Sequence, residues 1–261
     1  MAESFIDLGG TRLHYRMDGE HELPVLVLSN SLGTDLSMWE PQMPELARRF
    51  RVVRYDTRGH GRSSVTSGPY TIEQLARDVL GLLDALGIER AHFCGLSLGG
   101  MTGMWLAAHE GYRIDRLVLA NTAARIPGPE AYNTRIAKVR EGGMVSVAPA
   151  VLERWFTPAF MALDQAAIAR TRTMLERCPA EGYMAACAAV RDMDQRADIA
   201  SITRPTLVIA GTHDLATPPA EGRFLAATIP GALYLELPAS QLSNIETAPL
   251  FTAALLDFLM I

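Results

Sequence analysis

Short apolar runs without polar alternation recur along this chain and alternate with stretches of helical spacing. Pro24 to Ser29, Arg51 to Tyr55, Ala91 to Cys94, Asp115 to Asn121, Pro205 to Ala210 and Leu233 to Leu237 all have this strand character. A strand that lacks alternation is covered on both faces, which puts it inside a parallel sheet. Between the second and third runs, Leu75, Val79, Leu82, Leu83 and Leu86 share one helical face. The capping pattern Thr71-Ile72-Glu73-Gln74 precedes that face, and Gly87 ends it. Residues 4–8 and 12–16, joined by Gly9-Gly10-Thr11, read as an opening hairpin. This alternation predicts an α/β fold with a mostly parallel, doubly wound sheet.

The rhythm breaks between about Arg125 and Arg196, where Ala- and Met-rich helical patterns and prolines replace buried strands. We read residues 125–196 as a helical cap subdomain inserted into a core formed by residues 1–124 and 197–261. A cluster of extra core helices packed to one side is the other reading of the same pattern. The chain has 261 residues, enough for one such domain with an insertion. Its net charge of −5 argues against nonspecific binding to nucleic acid or to anionic membranes. An anionic substrate would then need a local basic group rather than a global field; Lys138 is the only lysine, so nearly all positive charge is arginine. The start lacks the pattern of a signal peptide and no run reaches membrane-spanning length, so a cytoplasmic protein is expected. Three cysteines without metal-ligand spacing, and no phosphate-binding glycine loop, predict neither metal nor cofactor.

Chemistry concentrates in Gly95-Leu96-Ser97-Leu98-Gly99, set between an apolar strand and a helix-like run from Met101 to His109. A serine on a sharp strand-to-helix turn presents its hydroxyl above the sheet, and the helix that follows aims free N–H groups at a developing oxyanion. Ser97 is therefore the candidate nucleophile. By position, the backbone amides of Leu32 and Leu98 form the oxyanion hole. Asp214, in the turn after the strand ending at Ala210, is the candidate acid in the order Ser…Asp…His. The base is missing. No histidine follows His213, and Gln241 stands in the loop after the last strand. A glutamine amide has the groups to bond both Ser97 and Asp214, yet it is no base near neutral pH. His213 itself, beside Asp214 in sequence, would have to leave its strand-end turn to reach the serine.

With these residues assembled, the chain resembles the 3-oxoadipate enol-lactonases of the α/β-hydrolase superfamily. The resemblance rests on Leu28-Ser29-Asn30-Ser31-Leu32-Gly33-Thr34, on Val151-Leu152-Glu153-Arg154-Trp155-Phe156-Thr157-Pro158, and on Ala239-Ser240-Gln241-Leu242-Ser243-Asn244-Ile245-Glu246. More generic are Asp56-Thr57-Arg58-Gly59-His60-Gly61-Arg62-Ser63 and the serine pentapeptide. In the family a histidine occupies the place of Gln241. The resemblance implies an α/β-hydrolase fold and hydrolysis of a small anionic enol lactone to 3-oxoadipate in the β-ketoadipate pathway of aromatic catabolism. It implies a carboxylic ester hydrolase, strongly impaired here at the base. An arginine of the insertion would pair with the substrate carboxylate, Arg135 first and Arg140 second, with Trp155 facing the pocket. The alternatives are a non-catalytic ligand-binding homologue and a hydrolase of another small ester or lactone. A homo-oligomer is compatible with all three.

Overall fold

The computed structural model describes residues 4–126 and 128–260. Its strands are β1 (Ser4–Asp7), β2 (Arg12–Asp18), β3 (Val25–Ser29), β4 (Arg51–Tyr55), β5 (Ala91–Leu96), β6 (Ile114–Ala120), β7 (Thr206–Gly211) and β8 (Leu233–Leu237). They form one sheet in the order β1-β2-β4-β3-β5-β6-β7-β8. The β1–β2 and β2–β4 pairs are antiparallel, and every later pair is parallel. The opening hairpin and the doubly wound sheet are as the sequence predicts.

Burial explains which runs became central. Leu26, Val27 and Leu28 of β3, Phe93 and Cys94 of β5, and Leu117 to Ala120 of β6 are fully enclosed. Both faces are covered by helices. After α1 (Met43–Leu46) come α2 (Ile72–Ala85) and α3 (Leu98–His109). The Thr71 hydroxyl caps α2 by accepting from the Gln74 N–H at 3.1 Å. Buried Ile72, Leu75, Val79, Leu82 and Leu83 then form its inner face. One interior charge on that helix, Asp78, is paired with the Arg58 guanidinium at 2.8 and 2.5 Å. Burial nonetheless raises the Asp78 pKa, against the pull of Arg58.

The stretch between β6 and β7 is helical: α4 (Pro129–Gly142), α5 (Ala148–Trp155), α6 (Pro158–Leu163), α7 (Gln165–Arg177) and α8 (Ala180–Asp192). Its two ends meet, since Arg125 and Asp194 form an antiparallel bridge and the Gln195 N–H donates to the Ala124 carbonyl at 2.8 Å. The core resumes with β7, α9 (Pro219–Thr228), β8, α10 (Ser243–Glu246) and α11 (Ala248–Leu259).

The strand order fixes where a site can form. From β3 the chain steps outward to β4, then returns to lay β5 on the other side of β3. The carboxyl ends of β3 and β5 flank this switch point, where connections leave in opposite directions and a crevice opens.

Candidate active site

Ser97 occupies the turn between β5 and α3 with φ 55° and ψ −111°. A non-glycine residue in such a conformation costs about 1–3 kcal/mol, so its neighbours must hold it there. The Ser97 N–H donates to the Ala120 carbonyl at 2.9 Å, while the Ser97 carbonyl accepts from the Thr122 hydroxyl at 2.8 Å and the Met101 N–H at 2.9 Å. The flanking glycines are steric necessities. A Cβ on Gly95 would sit 2.1 Å from the Gly99 carbonyl oxygen, and one on Gly99 would sit 2.2 Å from that of Ser29.

The Leu98 amide is the first of α3, and the Leu32 amide lies in the turn after β3. Neither donates to a protein acceptor among the described residues. Two free N–H groups beside an elbow serine are what an oxyanion requires. The turn is held by Asn30, whose side chain donates to the Tyr55 carbonyl at 2.8 Å and accepts from the Trp39 indole at 2.9 Å.

Asp214 is buried in the turn after β7. One carboxylate oxygen accepts from the Ala216 and Thr217 N–H groups at 2.8 and 3.0 Å. The other accepts from the Asn121 amide at 3.0 Å and the Thr217 hydroxyl at 2.8 Å. Burial raises its pKa, and these four donors work against that rise. Gln241 is buried too, but it bonds neither Ser97 nor Asp214. Its amide donates to the Asn121 carbonyl at 2.9 Å, and its side-chain oxygen lies 3.2 Å from the Thr217 hydroxyl. Asp214 is thus fully satisfied without an imidazole, and among the described residues no histidine bonds the Ser97 hydroxyl. His213 does not fill the gap. It is exposed and borders a different groove, with Phe156, Pro158 and Pro238.

A cavity of about 240 Å³ lies over Ser97. Leu32 and Gln241 close its floor, and Ile126, Tyr132, Arg135, Arg154, Trp155 and Tyr183 come from the helical stretch. Arg135 stacks on Tyr132, 5.0 Å from the ring centroid. Its pKa lies above the ordinary value despite burial, and a guanidinium stays charged at any working pH. It pairs with no carboxylate among the described residues. Arg154 donates to the Leu215 carbonyl at 3.1 Å, and Glu221 is the one acidic residue on the wall. Arg140 lies exposed in the last turn of α4, outside the lining.

With this geometry in view, comparison with known proteins is decisive. Residues 24–248 match the family model for the alpha/beta hydrolase fold. A relative from Acinetobacter baylyi, 3-oxoadipate enol-lactonase 2, is 43% identical, covering 93% of this chain and 91% of its own. The chain belongs to the 3-oxoadipate enol-lactonase family. The enol-lactonase of Burkholderia xenovorans LB400 superposes with a TM-score of 0.98 at 53% identity, covering 99% of this chain and 100% of that one. A thermophilic esterase from Thermogutta terrifontis, solved with malate bound, gives 0.92 at 30% identity, covering 100% of this chain and 98% of that one.

Several residues of this enol-lactonase-family site escape sequence reasoning. Tyr132, Tyr183, Arg154 and Glu221 line the cavity, and Asn121 and Thr217 bond the acid. Arg154 adjoins Trp155 in a stretch that carries the family resemblance, which is a usable signal. Asn121 offered only its place just beyond β6, and Thr217 only its place in the turn before α9.

Proposed function

We propose that this chain is an enol-lactonase built on Ser97, Asp214 and position 241, and that Gln241 leaves its turnover strongly impaired. The carrying observation is the elbow serine beneath two free amides, facing a small cavity that holds a carboxylate-free arginine. In the complete mechanism a base at position 241 takes the Ser97 proton as the hydroxyl oxygen attacks the lactone carbonyl. The Leu32 and Leu98 amides bind the oxyanion. Collapse breaks the ring C–O bond, the departing oxygen takes the proton to give an enol, and the enol becomes the ketone as a proton is gained at carbon and the O–H proton is lost. Water, deprotonated by the same base, cleaves the Ser97 ester and releases 3-oxoadipate. Arg135, with Arg154 beside it, pairs with the substrate carboxylate, and Trp155 packs on the ring.

An amide cannot carry either proton transfer. Loss of the base residue of such a triad costs on the order of 10⁶ in turnover, the remainder coming from the oxyanion hole and binding. Residues 125–196 act as the cap that shields the reaction from bulk water. The same reading makes the protein cytoplasmic, acting on a dissolved small molecule rather than on nucleic acid, and is compatible with a homo-oligomer. Among the described residues no helix is long and apolar enough to cross a membrane.

Enol-lactone hydrolysis by this chain and by Gln241→His, assayed side by side, is the test. A rise of several orders of magnitude on restoring histidine is expected. Equal, negligible rates would remove the lactone as substrate, and full turnover by the unaltered chain would remove Gln241 as the defect.

A further inference from the structure

Thr217 and Asn121, both outside the cavity lining, each touch Asp214 and Gln241, and Asn121 makes the larger set of bonds. Asn121, just beyond the end of β6, is fully buried at 1% exposure and has φ 45°, left-handed for a side-chain-bearing residue. Its side-chain N–H₂ donates to Asp214 at 3.0 Å and to the Ser240 carbonyl at 3.1 Å. Its side-chain oxygen accepts from the Ser243 hydroxyl at 2.6 Å, and its backbone carbonyl accepts from the Gln241 amide at 2.9 Å. Its own N–H donates to the Ile209 carbonyl at 2.8 Å, locking it to β7. Every polar group of Asn121 is used, and four of its five bonds go to Asp214 or to the 240–243 loop.

We propose that Asn121 is a positioning residue, which sets Asp214 and the side chain at position 241 relative to each other through one planar amide and one carbonyl. The inference rests on the enol-lactonase reading of the site. Residue chemistry explains the choice of asparagine. Two donors on one nitrogen, one acceptor beside them and tolerance of positive φ are combined in asparagine alone among side chains of this length. An aspartate would offer no donor and would set a second negative charge against Asp214. The neighbourhood is shaped around the amide. A Cβ on Gly211 would sit 3.0 Å from its nitrogen and 2.4 Å from the Ser240 carbonyl oxygen. Asn121 does not line the cavity, so it acts through Asp214 and position 241 rather than on substrate.

The experiment uses Gln241→His as parent and adds Asn121→Gly or Asn121→Asp. Glycine adopts φ 45° without strain, so Asn121→Gly keeps the backbone and removes only the side-chain bonds. Two activities are followed: enol-lactone hydrolysis, and phosphonylation of Ser97 by a fluorophosphonate, which needs a working serine–base pair but no particular substrate. For Asn121→Gly we expect kcat and the phosphonylation rate to fall about 10²-fold, as for an ångström-scale misplacement, with KM little changed. For Asn121→Asp the added negative charge favours the imidazolium, so the acid limb of the kcat/KM profile moves to higher pH. Parent-like kcat and phosphonylation in Asn121→Gly would overturn the proposal. So would an unmoved acid limb in a folded Asn121→Asp. A parent that is phosphonylated but leaves the lactone intact removes the lactone reading alone, and phosphonylation then decides the role of Asn121. A parent inert in both assays overturns the two readings together.

Discussion

Arg135 packs its charge against an aromatic face, with no carboxylate partner among the described residues. It stacks on Tyr132 and stands beside Tyr183 on the wall of the Ser97 cavity. A guanidinium arranged this way offers its planar fork to a small carboxylate, which an ammonium on a flexible stem cannot reproduce. In Arg135→Lys, the affinity of the unaltered site for 3-oxoadipate is expected to fall about 10-fold or more, the loss of roughly 1.5–3 kcal/mol for a charged hydrogen bond. Titration calorimetry on the Gln241 form measures this without turnover, and unchanged affinity would take the carboxylate role from Arg135. At this scale Ser97, Asp214 and Gln241 were legible because each follows a recognisable strand or motif in a fixed chain order. Asn121 and Thr217 were not. Asn121 meets Asp214 across 93 positions of sequence, and no local pattern in a buried asparagine reports such a partner.

The loop after β8 is stapled to the helical stretch, and this explains how position 241 is aimed. Glu246, in α10, accepts from the Ser240 N–H at 2.9 Å and from the N–H and hydroxyl of Thr157. The Ser240 hydroxyl donates to the Arg154 carbonyl at 2.8 Å, and the Leu242 N–H to the Trp155 carbonyl at 3.1 Å. The same contacts therefore hold Gln241 on one side and the cavity residues Arg154 and Trp155 on the other. Glu246→Ala leaves part-buried donors without an acceptor and is expected to cost about 1–3 kcal/mol, read by urea unfolding. A loss near zero would mean that the loop and the helical stretch are held by other contacts. Element boundaries follow the same physics. β4 and β8 begin and end where the apolar runs do, because turns bound them on both sides. α3 starts at Leu98, three residues before Met101, where sequence spacing predicts its start. Gly99 and Gly100 weaken a helix by propensity, yet their close approach to Ser29 and Thr122 requires them. Packing overrides propensity there, and a single sequence does not display the packing.

For the molecule as a whole, one buried and one half-buried histidine contribute to the response to acid. His60 is wholly enclosed, with its Nδ1 3.2 Å from the Arg58 carbonyl oxygen and its Nε2 unpartnered. Burial lowers its pKa from 6.5, outweighing that carbonyl and the charge of Asp56. Burial lowers His92 likewise, and its Nδ1 also lacks a partner. A group whose folded pKa lies below its unfolded value binds fewer protons in the native state. Its contribution to stability is present above pH 6.5 and is lost as pH falls toward the folded value. Asp78 and Asp214 run the other way. Their pKa values are raised by burial, so their contribution is present below 3.8 and is lost as pH rises through the folded values. Of these groups only the histidines lose stability as pH falls below 6.5, so their share of the change in melting temperature between about pH 7 and pH 5 is downward. Replacing the titrating ring should flatten that slope: His60→Asn keeps a polar side chain near the Arg58 carbonyl but cannot take up the proton. Calorimetric scans of both proteins across the window measure it. An identical slope in His60→Asn would mean that His60 is not the group protonated on unfolding, and His92→Asn would be the next to carry the acid limb.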